Sequence, residues 1–325
     1  MQDEREPIPI DLVGSEPALW LPARPLIWPP QARSRRSLIT AIALFIVTAL
    51  STLAAGAQFA AAYAANQSPG FERFFSDYFR PFAQPSLFFS GIPFALTLMG
   101  ILLAHELGHF FACRHYQIAA TYPYFIPAPT LIGTMGAFIR IRSPIFNRRA
   151  LFDMALAGPL VGFLIAVPAL ALAILFSKVI PAVDASSSLV FGRPLAERLL
   201  EAVLRPGVLH EHLLLHPVGR AAWVGLFATA LNLLPAGQLD GGHILYAVAS
   251  ERHRRVSFAV ALLLVPLAVK FWAGWLVWAV LLVAIGFRHP PLIDRWEPLD
   301  QRRRILAGVA LTIFILCFMP APFVL

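Results

Sequence analysis

Charge is scarce in this sequence. Asp, Glu, Lys and Arg make up 14% of its 325 residues, against roughly 25% in soluble globular domains, and the mean hydropathy is +0.70. An ordinary soluble enzyme is excluded. So is a disordered chain, which would be polar. Cysteine is scarcer still. Cys113 and Cys317 are the two present, too few for a disulfide framework and far apart for a CxxC metal site. Residues 1–37 open on Asp3, Glu4 and Glu6 rather than on a basic stretch before an apolar core, and so are expected to be a tail before a signal-anchor helix rather than a secretory leader. No inverted repeat of the transporter kind is visible.

What is present is apolar surface: 58% of the residues are apolar and 26 are Phe. This composition predicts an all-α polytopic membrane protein. Seven apolar stretches lie near 38–64, 87–112, 151–177, 221–248, 256–269, 271–287 and 305–321. A helix needs about 20 residues to cross about 30 Å of hydrocarbon. The fifth and sixth are short and meet at Lys270, so they read as a tight hairpin or as one irregular segment. The domain reading has four parts: a disordered cytosolic tail over 1–37, a first transmembrane helix and extracytosolic loop over 38–86, a core over 87–255, and C-terminal transmembrane helices over 256–325.

The formal charge of +8 would suggest nucleic acid in a soluble protein. With the N-terminus placed in the cytosol, 18 of the 26 Lys and Arg fall in cytosolic segments. That asymmetry predicts an N-in, C-out topology and leaves no need for a nucleic-acid partner. The lipid bilayer is the partner that composition demands, and a bacterial plasma membrane is the expected location. The loop 178–220 is too short for a further folded domain, and its stretch 194–205 reads as an amphipathic helix on the membrane surface.

The second apolar stretch ends His105-Glu106-Leu107-Gly108-His109. The i, i+4 spacing puts both imidazoles on one helix face, able to reach one metal, with Glu106 beside them to contact a metal-bound water. With nine His and ten Glu in the chain, chance supplies about 0.008 such patterns. Ionisable groups inside a span are costly and mark function.

A catalytic zinc takes three protein ligands plus water. The fourth stretch offers the third within Asn232-Leu-Leu-Pro235-Ala-Gly237-Gln-Leu-Asp240-Gly241-Gly242-His243. Proline and glycine interrupt a helix there, which is tolerated at membrane depth only where the backbone is buried or lines a wet cavity. Asp240 is the candidate ligand and His243 competes with it. His109 lies five residues before Arg114, and Asp240 twelve before Arg252. Those separations span about 8 and at most about 18 Å if helical, so both groups sit in the cytosolic half of the bilayer.

HELGH in one span and NLLPAGQLDGGH in a later one resemble the site-2 protease family of intramembrane zinc metalloproteases, in its compact form without a PDZ domain. The resemblance covers about 90–250. It implies a three-span core, one zinc per chain held by His105, His109 and Asp240, and Glu106 as general base. Asn232 matches the family asparagine implicated in holding substrate. The resemblance also implies a membrane-associated β-hairpin between the second and third spans. Here Phe138-Ile-Arg-Ile-Arg alternates as a half-buried strand does, and Gly133 and Gly136 permit a turn or close approach. Gly136 and Phe138 are therefore candidate substrate contacts, through strand addition at an exposed edge. A connecting interfacial loop is the plainer reading. Ala157-Gly158-Pro159-Leu-Val-Gly162 has the small-xxx-small spacing of close helix packing and reads as scaffold. Asp153, Arg148 and Arg149 read as interfacial anchors.

By the same resemblance the substrate is a single-span regulatory membrane protein, trimmed first by a site-1-type protease. Two other readings compete. An inactive family member would bind membrane helices without cutting them, against which stands the intact Glu106. A divalent-metal transporter would need polar groups along a path to both faces, and the first, fifth, sixth and seventh stretches hold almost none.

Overall fold

A computed structural model describes residues 35–68, 77–180, 190–287, 289–290, 292–294 and 296–324. The expected tail over 1–37 lies outside the described residues apart from its last three. The chain is mostly helical. The helices around the candidate site are α1 (Arg35–Ala64), α2 (Ser86–His115), α3 (Arg148–Phe176), α5 (Pro217–Asn232) and α6 (Asp240–Lys270). A short α4 (Leu195–Leu204) precedes α5, and α7 (Gly274–Ile285) and α8 (Gln301–Cys317) follow α6.

Among the described residues, three helices are long and apolar enough to cross a membrane: α1, α2 and α3, of 30, 30 and 29 residues. The expectation of about seven spans is not confirmed beyond these three. The fourth stretch is broken, because α5 stops at Asn232 and α6 begins at Asp240, with Pro235 between. The fifth belongs to α6, which carries Glu251, Arg252, Arg254 and Arg255 just past a kink at Ala249. Helix α7 has 12 residues, about 18 Å at 1.5 Å each, well short of the hydrocarbon thickness. Helix α8 has 17 residues and opens on three arginines. The fifth and sixth stretches are separate helices, joined by a turn at Phe271–Ala273.

Local chemistry sets the ends that matter for the site. Helix α3 starts where Asn147 caps it, its Oδ1 accepting from Ala150 N at 2.9 Å. Pro217 occupies the first turn of α5, where its missing N–H costs nothing. Asp300 caps α8 by accepting from Arg303 N at 2.9 Å. Helix α3 packs against α2, α5 and α6, and α1 lies against α2. The main core gathers Leu151, Phe152, Leu170, Ile174 and Leu226 between these helices.

Between α2 and α3 the chain forms an antiparallel strand pair, β1 (Tyr124–Pro127) with β2 (Thr134–Phe138), in the register Tyr124 to Phe138 and Phe125 to Ala137. A further bridge joins Ala120 to Ile141. The strand begins earlier than the alternating run 138–142 suggested. Its turn is made by Gly133 at φ +78°, which packs on the α1 backbone at Ser51 and Thr52. Short strand pairs also join β3 (Lys178–Val179) to β5 (Leu213–Leu214) and β4 (Val190–Phe191) to β6 (Phe323–Val324). Helix α4 falls within the stretch 194–205 expected to be an amphipathic helix.

Candidate metal centre

His105, Glu106 and His109 project from α2 and are 6, 5 and 8% exposed. Asp240, the first residue of α6, meets them across the bundle. Its Oδ2 is 3.4 Å from His105 Nε2 and 3.3 Å from His109 Nε2, and the two Nε2 atoms are 3.1 Å apart. Zinc–nitrogen and zinc–oxygen bonds of about 2.0–2.1 Å in a tetrahedron require donor separations of about 3.3 Å. These three distances therefore fit one small divalent cation. The donor set, two imidazoles and a carboxylate, is of the type that binds zinc.

The ring orientation is also fixed. His109 Nδ1 lies 2.7 Å from the Met154 carbonyl on α3. A carbonyl only accepts, so Nδ1 carries the proton and Nε2 presents its lone pair to the centre. Glycine makes this contact possible. A Cβ on Gly158 would lie 2.5 Å from His109 Cδ2, and one on Gly162 would lie 3.2 Å from His105 Nδ1. The AGPLVG segment is thus the wall on which both imidazoles rest.

The segment before Asp240 is held from behind. Gly237, at φ +57°, donates its N–H to Ser257 Oγ at 3.1 Å, and its carbonyl accepts from His253 Nε2 at 3.0 Å. Both side chains are buried and reach back from the second half of α6. Gly241 and Gly242 let the loop backbone at 233–237 lie directly on the first turn of α6. Nothing in the sequence marked His253 or Ser257, because their partners are backbone atoms sixteen and twenty residues away.

A cavity of about 220 Å³ opens beside these groups. Its lining includes the metal-type residues, Asn232, Gln238, His243 and the strand residues Ala137, Phe138, Ile139 and Ile141. Asn232 Nδ2 lies 3.2 Å from His105 Nε2. The Ile139 backbone N–H faces the Glu106 carboxylate. Of the two strand residues expected to touch substrate, Phe138 borders the cavity. Gly136, two residues before Phe138 in β2, is not among the lining residues, and open space lies where its side chain would be. His243 does not join the converging donors. Its Nδ1 pairs with His289 Nε2 at 2.7 Å, and His289 stacks on Tyr246.

A second group, Glu197, Glu201 and His210, also brings donor atoms within 4.8 Å of one another. Here the charge is already balanced by cations. Arg193 binds Glu201 and the half-buried Arg220 faces both carboxylates. Burial pushes the Glu197 carboxyl up to about 8. Burial also opposes the charge on Glu201, but His210 and Arg193 outweigh it and hold that carboxyl below its usual range. This cluster reads as a buried ion network at the far ends of α3 and α5.

An HExxH helix, a carboxylate arriving from a broken helix, and a cavity between them define a metalloprotease set inside a helical bundle. Residues 93–272 match Peptidase family M50, and the chain belongs to that family. It is 34% identical over 240 residues to the probable zinc metalloprotease EGY1, chloroplastic, of Arabidopsis thaliana, covering 71% of this chain and 43% of that protein. It is 33% identical over 243 residues to the corresponding EGY2 of Oryza sativa subsp. indica, covering 72% and 43%. The Arabidopsis EGY2 protein matches at 30% over 260 residues, covering 76% and 45%. The chain thus spans less than half the length of these relatives. No PDZ domain is evident; among the described residues, strands β1 to β5 and helices α3, α4 and α5 lie between the two motifs.

Proposed function

We propose that this protein is an intramembrane zinc endopeptidase that hydrolyses peptide bonds in or near the transmembrane segments of single-span regulatory proteins. The observation that carries the reading is the convergence of His105, His109 and Asp240 at donor spacing beside a cavity that also holds Glu106. In this reading the first two supply imidazole nitrogens and Asp240 a carboxylate oxygen to one zinc. A zinc ion held there would supply Lewis-acid chemistry, a lowered pKa for bound water and polarisation of a peptide carbonyl.

The chain's own groups do the rest. Glu106 accepts the proton of the attacking water and passes it to the leaving amine, its carboxylate held in place by the Ile139 amide. Met154 keeps His109 in the tautomer that presents Nε2. Asn232, adjoining His105, holds the substrate backbone with its amide. Substrate enters as an unwound strand along β2, where Phe138 and Ile139 border the cavity, and adds main-chain hydrogen bonds there. A helix must open before its carbonyl can be reached, so segments carrying Gly, Pro or Asn are favoured. The multi-pass, N-in arrangement with a cytosolic-side centre rests on the 18 of 26 basic residues assigned to that side.

The test uses purified protein in detergent with a fluorogenic single-span peptide that carries a Gly-Pro break. Cleavage is expected, is abolished by a zinc chelator, and returns on adding zinc. Cleavage that continues undiminished after the metal has been stripped contradicts the proposal.

A further inference from the structure

Arg303 lies near the start of α8, beyond the stretch 93–272 that matches the family. Its guanidinium forks onto Asp153: Nε donates to Oδ1 at 2.8 Å and Nη2 to Oδ2 at 2.5 Å. Nη2 also donates to the Tyr116 hydroxyl at 3.1 Å, and that hydroxyl in turn donates to Asp153. Nη1 binds Asp300, the capping residue of α8. Tyr116 caps the C-terminus of α2, the helix that carries HELGH. Asp153 adjoins Met154, whose carbonyl holds His109 Nδ1.

The His109–Met154 bond spans the gap between α2 and α3, and the Arg303 fork ties those same two helices together. Tyr116 is seven residues past His109, about 10 Å along α2, and Asp153 is one residue from Met154. A bidentate guanidinium–carboxylate pair fixes both distance and orientation, as a single point charge does not. Read as interfacial anchors, Asp153 and its neighbours would face headgroups. Instead Asp153 faces a cation from the C-terminal helix.

We propose that Arg303 is a positioning residue for the metal centre, clamping the end of α2 to the start of α3 so that the Met154 carbonyl holds His109 in its ligating orientation. This rests on the zinc reading above. Outer contacts that orient a metal-ligating histidine change metal affinity by about 10–100-fold when removed. Because the clamp acts one step further out, its loss is placed at the lower end, roughly tenfold.

The experiment compares wild type, Arg303→Gln, Arg303→Lys, Tyr116→Phe and Arg304→Gln, each purified in detergent. Zinc retention is measured against a competing chelator, and the metal-free proteins are loaded with Co2+ for visible spectroscopy. R303Q is expected to release zinc about tenfold more readily and to shift the cobalt bands. R303K should fall between R303Q and wild type, and Y116F should shift in the same direction by less. R304Q, an exposed neighbour on the same helix, should match wild type. Apo-protein unfolding temperatures separate these shifts from general loosening. A folded R303Q with wild-type zinc affinity and cobalt spectrum overturns the clamp while leaving the zinc reading standing. If R303Q does not fold, a wild-type spectrum in Y116F overturns it. Wild type that takes up neither zinc nor cobalt overturns both proposals.

Discussion

Replacing Glu106 by Gln is expected to lower peptide hydrolysis by about 10²–10⁴-fold, the range supplied by a positioned general acid–base group, while zinc stays bound. Gln keeps the shape of the side chain and removes its capacity to take a proton. The donor atoms that converge are those of His105, His109 and Asp240, and Glu106 is not in that group. The carboxylate is 5% exposed and faces the Ile139 amide at the cavity edge. In the proposed mechanism this placement serves proton transfer to a reacting group. The measurement is the single-turnover rate on the fluorogenic single-span peptide, with zinc content read on the same sample. An E106Q protein with wild-type turnover would remove Glu106 from the chemistry.

The second large effect is expected at a residue with no side chain. Gly158→Ala places a methyl group 2.5 Å from His109 Cδ2 and 2.6 Å from its Cε1. The ring cannot swing aside freely, because its Nδ1 is bound to Met154 on the same helix and its Nε2 faces Asp240. Overpacking of this kind costs about 1–3 kcal/mol. Expressed at the ligand it would disturb, that is a loss of about 5–150-fold in zinc affinity. Gly162→Ala, whose Cβ would sit 3.2 Å from His105 Nδ1, should be milder. Gly100→Ala on α2 meets nothing within 4 Å and serves as a control near wild type. Chelator competition across the three variants checks the order.

These two predictions draw on different depths of legibility. Glu106 could be read from the sequence because HExxH is a local pattern: one helix face carries the whole signal. Asp240 was legible at one remove, since Pro235 and the glycines announce a broken helix where a polar group would be tolerated. The support around the centre was not legible in the same way. Met154 acts through its carbonyl, which every residue has. His253 and Ser257 act on the backbone of Gly237 from a helix whose charges mark it only as polar. Gly158 and Gly162 were visible as small residues, but their partners could have been any neighbouring helix. Asp153 read as an anchor because its partner, Arg303, is 150 residues away.

The expectation of about seven spans goes beyond the three confirmed for a physical reason. Hydropathy registers apolar stretches without asking whether one helix runs through them. Pro235 divides the fourth stretch, Gly286 at φ +89° ends α7 after 12 residues, and a kink at Ala249 joins the second half of the fourth stretch to the fifth. The first three stretches are uninterrupted in this sense. Pro93, Pro159 and Pro168 lie inside α2 and α3 without ending them, because neighbouring helices can satisfy the freed groups.

The account turns on one claim, that His105, His109 and Asp240 hold a single zinc. Elemental analysis of the detergent-purified protein tests it most directly, with wild type set beside His109→Ala, Asp240→Ala, His243→Ala and Glu106→Gln. About one zinc per chain is expected in wild type, lost in H109A and D240A and kept in H243A and E106Q. A folded wild type without zinc when zinc is supplied, or a zinc that survives in D240A and leaves in H243A, would contradict it.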